Sequence, residues 1–98
     1  LVFLSGELGF ATDGTNPDGI ESQTRNTLTS IADTLSGESL ALADVLSGTC
    51  YLSDKSDFAV FNGVYWDFFS DPLPVRTTVE CALMIPAQVE ITIIAQGR

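Results

Sequence analysis

The sequence predicts an α+β fold, two helices packed on one face of a mixed β-sheet, and three observations lead to it. Two stretches repeat their apolar residues at the period of an α-helix, and four shorter runs are apolar or alternate as strands do. The elements come in the order β-α-β-α-β-β, and Gly- and Pro-rich breaks separate them. A chain of 98 residues has room for one hydrophobic core, so a single domain over residues 1–98 is expected.

The opening run "LVFLSG" reads as a buried strand ended by Ser5-Gly6, and "TDGTNPDG" (Thr12 to Gly19) as a surface loop. From Ile20 the helical spacing runs through Thr24, Leu28, Ile31, Ala32 and Leu35, with Gly37 suited to the C-terminal cap. The segment "VLSGTCYLS" alternates Leu46, Gly48, Cys50 and Leu52 against Ser47, Thr49, Tyr51 and Ser53, as a half-buried strand does. Ser56 or Asp57 can cap a second helix whose apolar positions are Phe58, Phe61, Tyr65, Phe68 and Phe69, and Pro72 and Pro74 stop it. Arg76 to Leu83 alternates again, with Val79, Cys81 and Leu83 expected to face the helices and Arg76, Thr78 and Glu80 the other side. After Pro86, Gln88 to Gln96 forms the last strand, joined tightly to the one before it. Each helix is expected to link parallel strands, and right-handed crossovers put both helices on the same face. The opposite face, with Glu90, Thr92 and Ile94, then lacks a cover, and a second copy of the chain is the simplest one.

Charge narrows the function. Four Lys or Arg stand against thirteen Asp or Glu, for a net charge of −9, so no basic face for phosphates is available and nucleic acid is not an expected partner. Histidine is absent, and Cys50 and Cys81 stand alone, so neither a zinc site nor a Cys/His nucleophile can be assembled. Both are expected as buried thiols in a reducing cytosol, with a disulfide between them left open. No window of ~20 apolar residues is present, and the start lacks the basic region and cleavage site of a signal peptide. A cytoplasmic protein without a membrane partner is expected. Because the chain opens in mid-strand without Met, an upstream piece is expected to be missing.

Arg76 and Glu90 stand out on the strand faces expected to look away from the helices. An arginine at a seam between copies can grip a planar carboxylate through two parallel hydrogen bonds, and a glutamate nearby can hold or deprotonate water. An ion pair of Arg76 with Glu80 or Glu90 explains the same spacing without any chemistry. Asn62 reads as a rim residue with a satisfied amide, Asp54 and Asp57 as helix-start residues, and Ser5-Gly6 as a turn that could also present backbone to a ligand. The clamp depends on Arg76 pointing away from its own helices.

The segments "LVFLSGELG", "GIESQTRNTLTSIADTL", "DVLSGTCYLSDKSDFAVFNGVYWDFF", "PVRTTVE" and "VEITIIA" resemble, in order and spacing, the RidA/YjgF family, also catalogued as L-PSP endoribonucleases. The Pro-x-Arg-[Ser/Thr] element with the later Val-Glu-Ile strand is the most specific part. The resemblance implies a chorismate-mutase-like α+β fold assembled as a homotrimeric barrel, with clefts between subunits. It implies a deaminase that hydrolyses reactive 2-enamino and 2-imino acids, 2-iminobutanoate among them, to 2-oxo acids and ammonia, without cofactor or metal. Arg76 would hold the substrate carboxylate and Glu90 the attacking water, while Ser5, Gly6, Asn62, Tyr65 and Thr78 would line the site. Two departures stand: the family's first strand, with a cleft tyrosine, has no counterpart before Leu1, and Thr78 replaces a cysteine common two residues after the arginine. A carboxylate-binding trimer without catalysis is the alternative. Ribonuclease activity fits least, given the charge and the missing histidine.

Overall fold

A computed structural model describes residues 1–10 and 19–97; the predicted loop from Thr12 lies outside them except for Gly19. The elements are β1 (Val2–Glu7), α1 (Ile20–Gly37), β2 (Val45–Leu52), α2 (Phe58–Asp67), β3 (Val75–Glu80) and β4 (Val89–Ala95). This is the predicted order. Leu28, Ile31 and Leu35 of α1 are fully buried, and so are Thr24 and Thr27, whose hydroxyls donate to the carbonyls of Ile20 and Gln23 one turn back.

The ends of the helices differ from expectation. The left-handed residue after α1 is Ser39 (φ 59°), not Gly37, and Leu40 N–H returns to the Leu35 carbonyl. Neither Ser56 nor Asp57 caps α2 with its side chain. Asp54 instead accepts from Ser56 N–H at 2.9 Å and starts a 3-10 turn over Lys55–Asp57 that leads into the helix. That hydrogen bond holds the Asp54 carboxyl below the usual carboxylate range. The freed Asp57 carboxylate accepts from Gln88 Nε2 at 3.3 Å, fastening the start of α2 to the strand that follows Pro86.

The sheet order is β1-β4-β2-β3, with β4 antiparallel to both neighbours and β2 parallel to β3. Thus β3 and β4 are not adjacent, contrary to the tight connection predicted from sequence. The connecting chain passes the end of β2, where Cys81 N–H donates to the Leu52 carbonyl and Ser53 N–H to that of Gln88. Burial explains the exchange: every second residue of β4, Val89, Ile91, Ile93 and Ala95, is fully buried, which suits a central strand. The β3 strand carries Arg76 and Glu80 and leaves Val75 71% exposed, which suits an edge.

Both helices cover one face, as predicted, and the core lies between them and Leu4, Cys50, Leu52 and the inward residues of β4. Leu46 was expected to share that side but is 48% exposed, because a register shift between Val45 and Ser47 turns it outward. The other face is uncovered among the described residues. Across it run a row of Phe3, Ile94, Ser47 and Val75, a row of Thr92, Thr49 and Thr77, and a row of Glu90, Tyr51 and Val79. Among the described residues no helix is long and apolar enough to cross a membrane.

Gly48 is fixed by packing. A Cβ there would sit 2.5 Å from the Tyr65 hydroxyl, so β2 and α2 approach only where the side chain is missing. Gly48→Ala should cost about 1–3 kcal/mol of stability through overpacking, read from urea unfolding midpoints, and should be relieved in part by Tyr65→Phe.

Candidate functional site

Strand register sets the direction of the predicted site residues. Arg76 pairs with Gly48 and Thr78 with Cys50, both on the buried, helix-covered side. Glu90 pairs with Tyr51, which pairs in turn with Val79 on the uncovered side. Arg76 and Thr78 therefore face α2, and only Glu90 faces away, so the predicted common face for Arg76 and Glu90 is overturned, and with it the clamp in the form read from sequence, which required Arg76 to point away from its own helices. Alternation fixes which residues share a side but not which side is inward. Of the three apolar residues taken as the inner set, Val79 is 41% exposed, and Cys81 and Leu83 follow the end of β3.

Aromatic rings of α2 receive the cation. The guanidinium carbon lies over Trp66 at 4.7 Å, over Tyr65 at 5.0 Å, and over Phe58 and Phe61 at 5.7 Å. These rings are attractive to a cation through their negative π faces. No carboxylate among the described residues pairs with it: the ion pairs join Arg25 to Glu21 and Asp67. Glu80 accepts from Lys55 N–H at 2.8 Å instead. The structural ion pair that sequence spacing allowed is therefore absent.

Arg76 Nη1 and Asn62 Oδ1 are buried without a hydrogen-bond partner, and Tyr65 OH and Thr78 Oγ1 have none beyond the Cys50 thiol. Asn62 thus lacks the satisfied amide oxygen expected of a rim residue. Orphaned groups of this kind are costly, and their concentration around one cation calls for water or a ligand. The Cys50 thiol sits behind them, pushed up from 9.0 to about 12 by burial, with Arg76, Thr78 and Tyr65 pulling the other way. Burial and the neighbouring Cys50 also push the Tyr65 hydroxyl up, against the pull of Arg76. Both groups are neutral at physiological pH.

Ser5, Gly6 and Glu90 form a separate group. The register between β1 and β4 shifts between Leu4 and Glu7, and Gly6 takes φ 40° there. Gly6 N–H donates to Thr92 Oγ1 at 3.4 Å, and a Cβ on Gly6 would stand 3.1 Å from Glu90 Oε2. The predicted site thus resolves into Arg76, Thr78, Asn62 and Tyr65 under α2, and Ser5, Gly6 and Glu90 at the β1–β4 bulge. Sequence reasoning missed Trp66 and read Phe58 and Phe61 as core alone. The spacing of Asn62 and Trp66, four residues apart and hence on one side of α2, was the available signal.

A crevice of about 380 Å³ runs between Val45, Leu46 and the Pro72–Val75 segment, and none of the predicted site residues lines it. Among the described residues no three His, Cys, Asp or Glu side chains come together to hold a metal. Both cysteines are free, Cys50 buried and Cys81 half-buried, so the disulfide left open by the sequence does not form.

Two helices on one side of a mixed four-stranded sheet define an α+β domain, and the cation beneath the second helix has no acidic partner among the described residues. Residues 1–96 match the family described as Endoribonuclease L-PSP, and the chain belongs to that family, which includes the proteins called YjgF and RidA. It is 34% identical over 98 residues to Reactive Intermediate Deaminase A, chloroplastic, of Arabidopsis thaliana, covering 97% of this chain and 52% of that protein. It is 35% identical over 79 residues to mmf2, mitochondrial, of Schizosaccharomyces pombe, covering 81% of this chain and 63% of that one. The chain therefore spans between half and two thirds of the length of these relatives. The crystal structure of the yjgF gene product of E. coli superposes with a TM-score of 0.91 at 29% identity, over 98% of this chain and 80% of that one.

The raised Cys50 value has a sign. The folded protein holds the thiol's proton more tightly than the unfolded chain, so this stabilisation is complete below about pH 9 and is lost as pH rises towards 12. Cys50→Val should consequently lose less stability than wild type between those pH values in urea titrations. In the native protein at pH 8 a thiol reagent should modify Cys81 well before Cys50.

Proposed function

We propose that this protein hydrolyses reactive 2-enamino and 2-imino acids to 2-oxo acids and ammonia, in a site that two copies of the chain complete together. The observation that carries the reading is the Arg76 guanidinium, held over aromatic rings with a buried Nη1 and no acidic partner among the described residues. A substrate carboxylate would supply the missing acceptor. The name of the Arabidopsis relative supports the same chemistry. Its chloroplastic label, and the mitochondrial label of the fission-yeast relative, leave the compartment of this chain open.

In this reading the enamine tautomerises to the imine and Arg76 fixes its carboxylate. Glu90 orients a water whose oxygen adds to the C=N carbon while a proton moves to the nitrogen. The C–N bond of the adduct then breaks, releasing ammonia and the 2-oxo acid. Positioning supplies most of the effect, since such imines already hydrolyse in water. Because Arg76 and Glu90 occupy opposite faces of one sheet, Glu90, Ser5 and Gly6 of one copy would work with Arg76, Asn62, Tyr65 and Thr78 of the next. A homotrimer with the uncovered faces turned inward is the assembly proposed.

The same separation favours a second reading, a trimer that binds a small carboxylate through Arg76 and performs no chemistry. Imine generated by a threonine dehydratase, with 2-oxobutanoate release followed in time, distinguishes the two. The deaminase predicts acceleration that Arg76→Ala reduces roughly 100-fold and Arg76→Lys by most of that, since a point charge cannot reproduce the planar fork. Glu90→Gln should keep 2-oxobutanoate binding and lose on the order of 100-fold in kcat. Wild-type release no faster than in buffer, with binding retained, leaves the non-catalytic reading. Light scattering at micromolar concentration should return three chain masses, and a monomer would remove the shared site.

A further inference from the structure

We propose that Trp66 is a positioning residue: its indole holds the Arg76 guanidinium with the in-plane N–H donors free, so that the arginine meets a carboxylate already oriented. The ligand class rests on the deaminase reading; the role of Trp66 in holding the cation does not.

Trp66 is the ring nearest the guanidinium carbon, at 4.7 Å, and it is half-buried, so part of the indole reaches solvent. Its own ring neighbours meet it nearly at right angles, Tyr65 at 4.9 Å and 88° and Phe69 at 6.2 Å and 72°, which fixes the orientation of the indole. Asn62 lies one helical turn earlier on the same side of α2, and its Oδ1 is buried and unpartnered.

The chemistry distinguishes a ring from an acid at this position. A carboxylate partner would occupy the N–H fork itself, and an incoming acid would have to displace it. A ring attracts the cation through its face and leaves the edge donors available, while still offsetting part of the cost of taking the charge out of water. Indole has the strongest such attraction of the aromatic side chains, so phenylalanine should replace it in part and an aliphatic residue should not.

The test compares wild type, Trp66→Phe and Trp66→Leu, with 2-oxobutanoate as the probe. Calorimetry should give a Kd about tenfold weaker for Trp66→Leu and a smaller loss for Trp66→Phe. KM for the imine should follow Kd, with kcat changed by less than about threefold, as expected when binding common to ground and transition states is lost. As the chain has a single tryptophan, wild-type fluorescence should report the same Kd directly. The nitrogen-15 spectrum of the Arg76 side chain, taken without ligand, should show an Nε–H resonance displaced by the ring and returned towards free arginine in Trp66→Leu. Equal Kd in wild type and Trp66→Leu, or equal losses in the two variants, overturns the role. If wild type binds no 2-oxobutanoate the deaminase reading falls, and the Arg76 resonance then decides for Trp66: no change in Trp66→Leu overturns it.

Discussion

A guanidinium under a helix, with no acid among the described residues to meet it, is the constraint on which the rest of this structure turns. A half-buried charge without a counter-charge costs a small domain stability. Here the cost is offset by the faces of Trp66, Tyr65, Phe58 and Phe61. Those four side chains account for much of the composition of α2. They make it a helix that buries Phe61, Val64 and Tyr65 for its own stability and spends its remaining rings on a cation. Gly48 belongs to the same arrangement, because any side chain there would push Tyr65 off β2.

The position of β3 follows from the same constraint. An edge strand needs only one neighbour for its backbone, so its side chains can be polar on the inner face without interrupting the core. Arg76 and Thr78 take that freedom, while the central β4 fills its inner face with Val89, Ile91, Ile93 and Ala95. Placing β4 beside β1 and β2 keeps the apolar strands together and moves the cation to the margin of the sheet. Strand order and site location are thus one decision.

Much of this was legible in the sequence, and the failures have identifiable causes. α1 could be read because Leu28, Ile31 and Leu35 repeat long enough for the period to be unambiguous. β4 could be read because Val89, Ile91 and Ile93 alternate with Glu90 and Thr92. The inward face of β3 could not, since Val75 and Val79 on one side and Arg76 and Thr78 on the other give opposite answers to hydropathy and to geometry. What decides the matter is a set of rings from another element, and no local pattern in "PVRTTVE" encodes them. The neighbours of β4 were misjudged for a related reason: adjacency in the chain predicts adjacency in the sheet only when no better-buried position is open. Arg76, Glu90, Asn62 and Tyr65 were singled out from the sequence as residues, but their division between two faces required the register.

That division bears directly on what the sheet's uncovered face is for. Its three rows are graded, with Phe3, Ile94 and Val75 at one end, threonines in the middle, and Glu90 with Tyr51 and Val79 at the other. An apolar row favours covering by a second surface, and a row of threonines can pack or hydrogen-bond across such a contact. Glu90 stands beside Gly6 at the limit of this face, where the β1–β4 bulge opens the backbone. A covering copy would bring its own side chains up to that carboxylate. In an isolated chain the cation and the carboxylate lie back to back across one sheet, so whatever chemistry they share depends on a neighbour that turns one of them around to face the other.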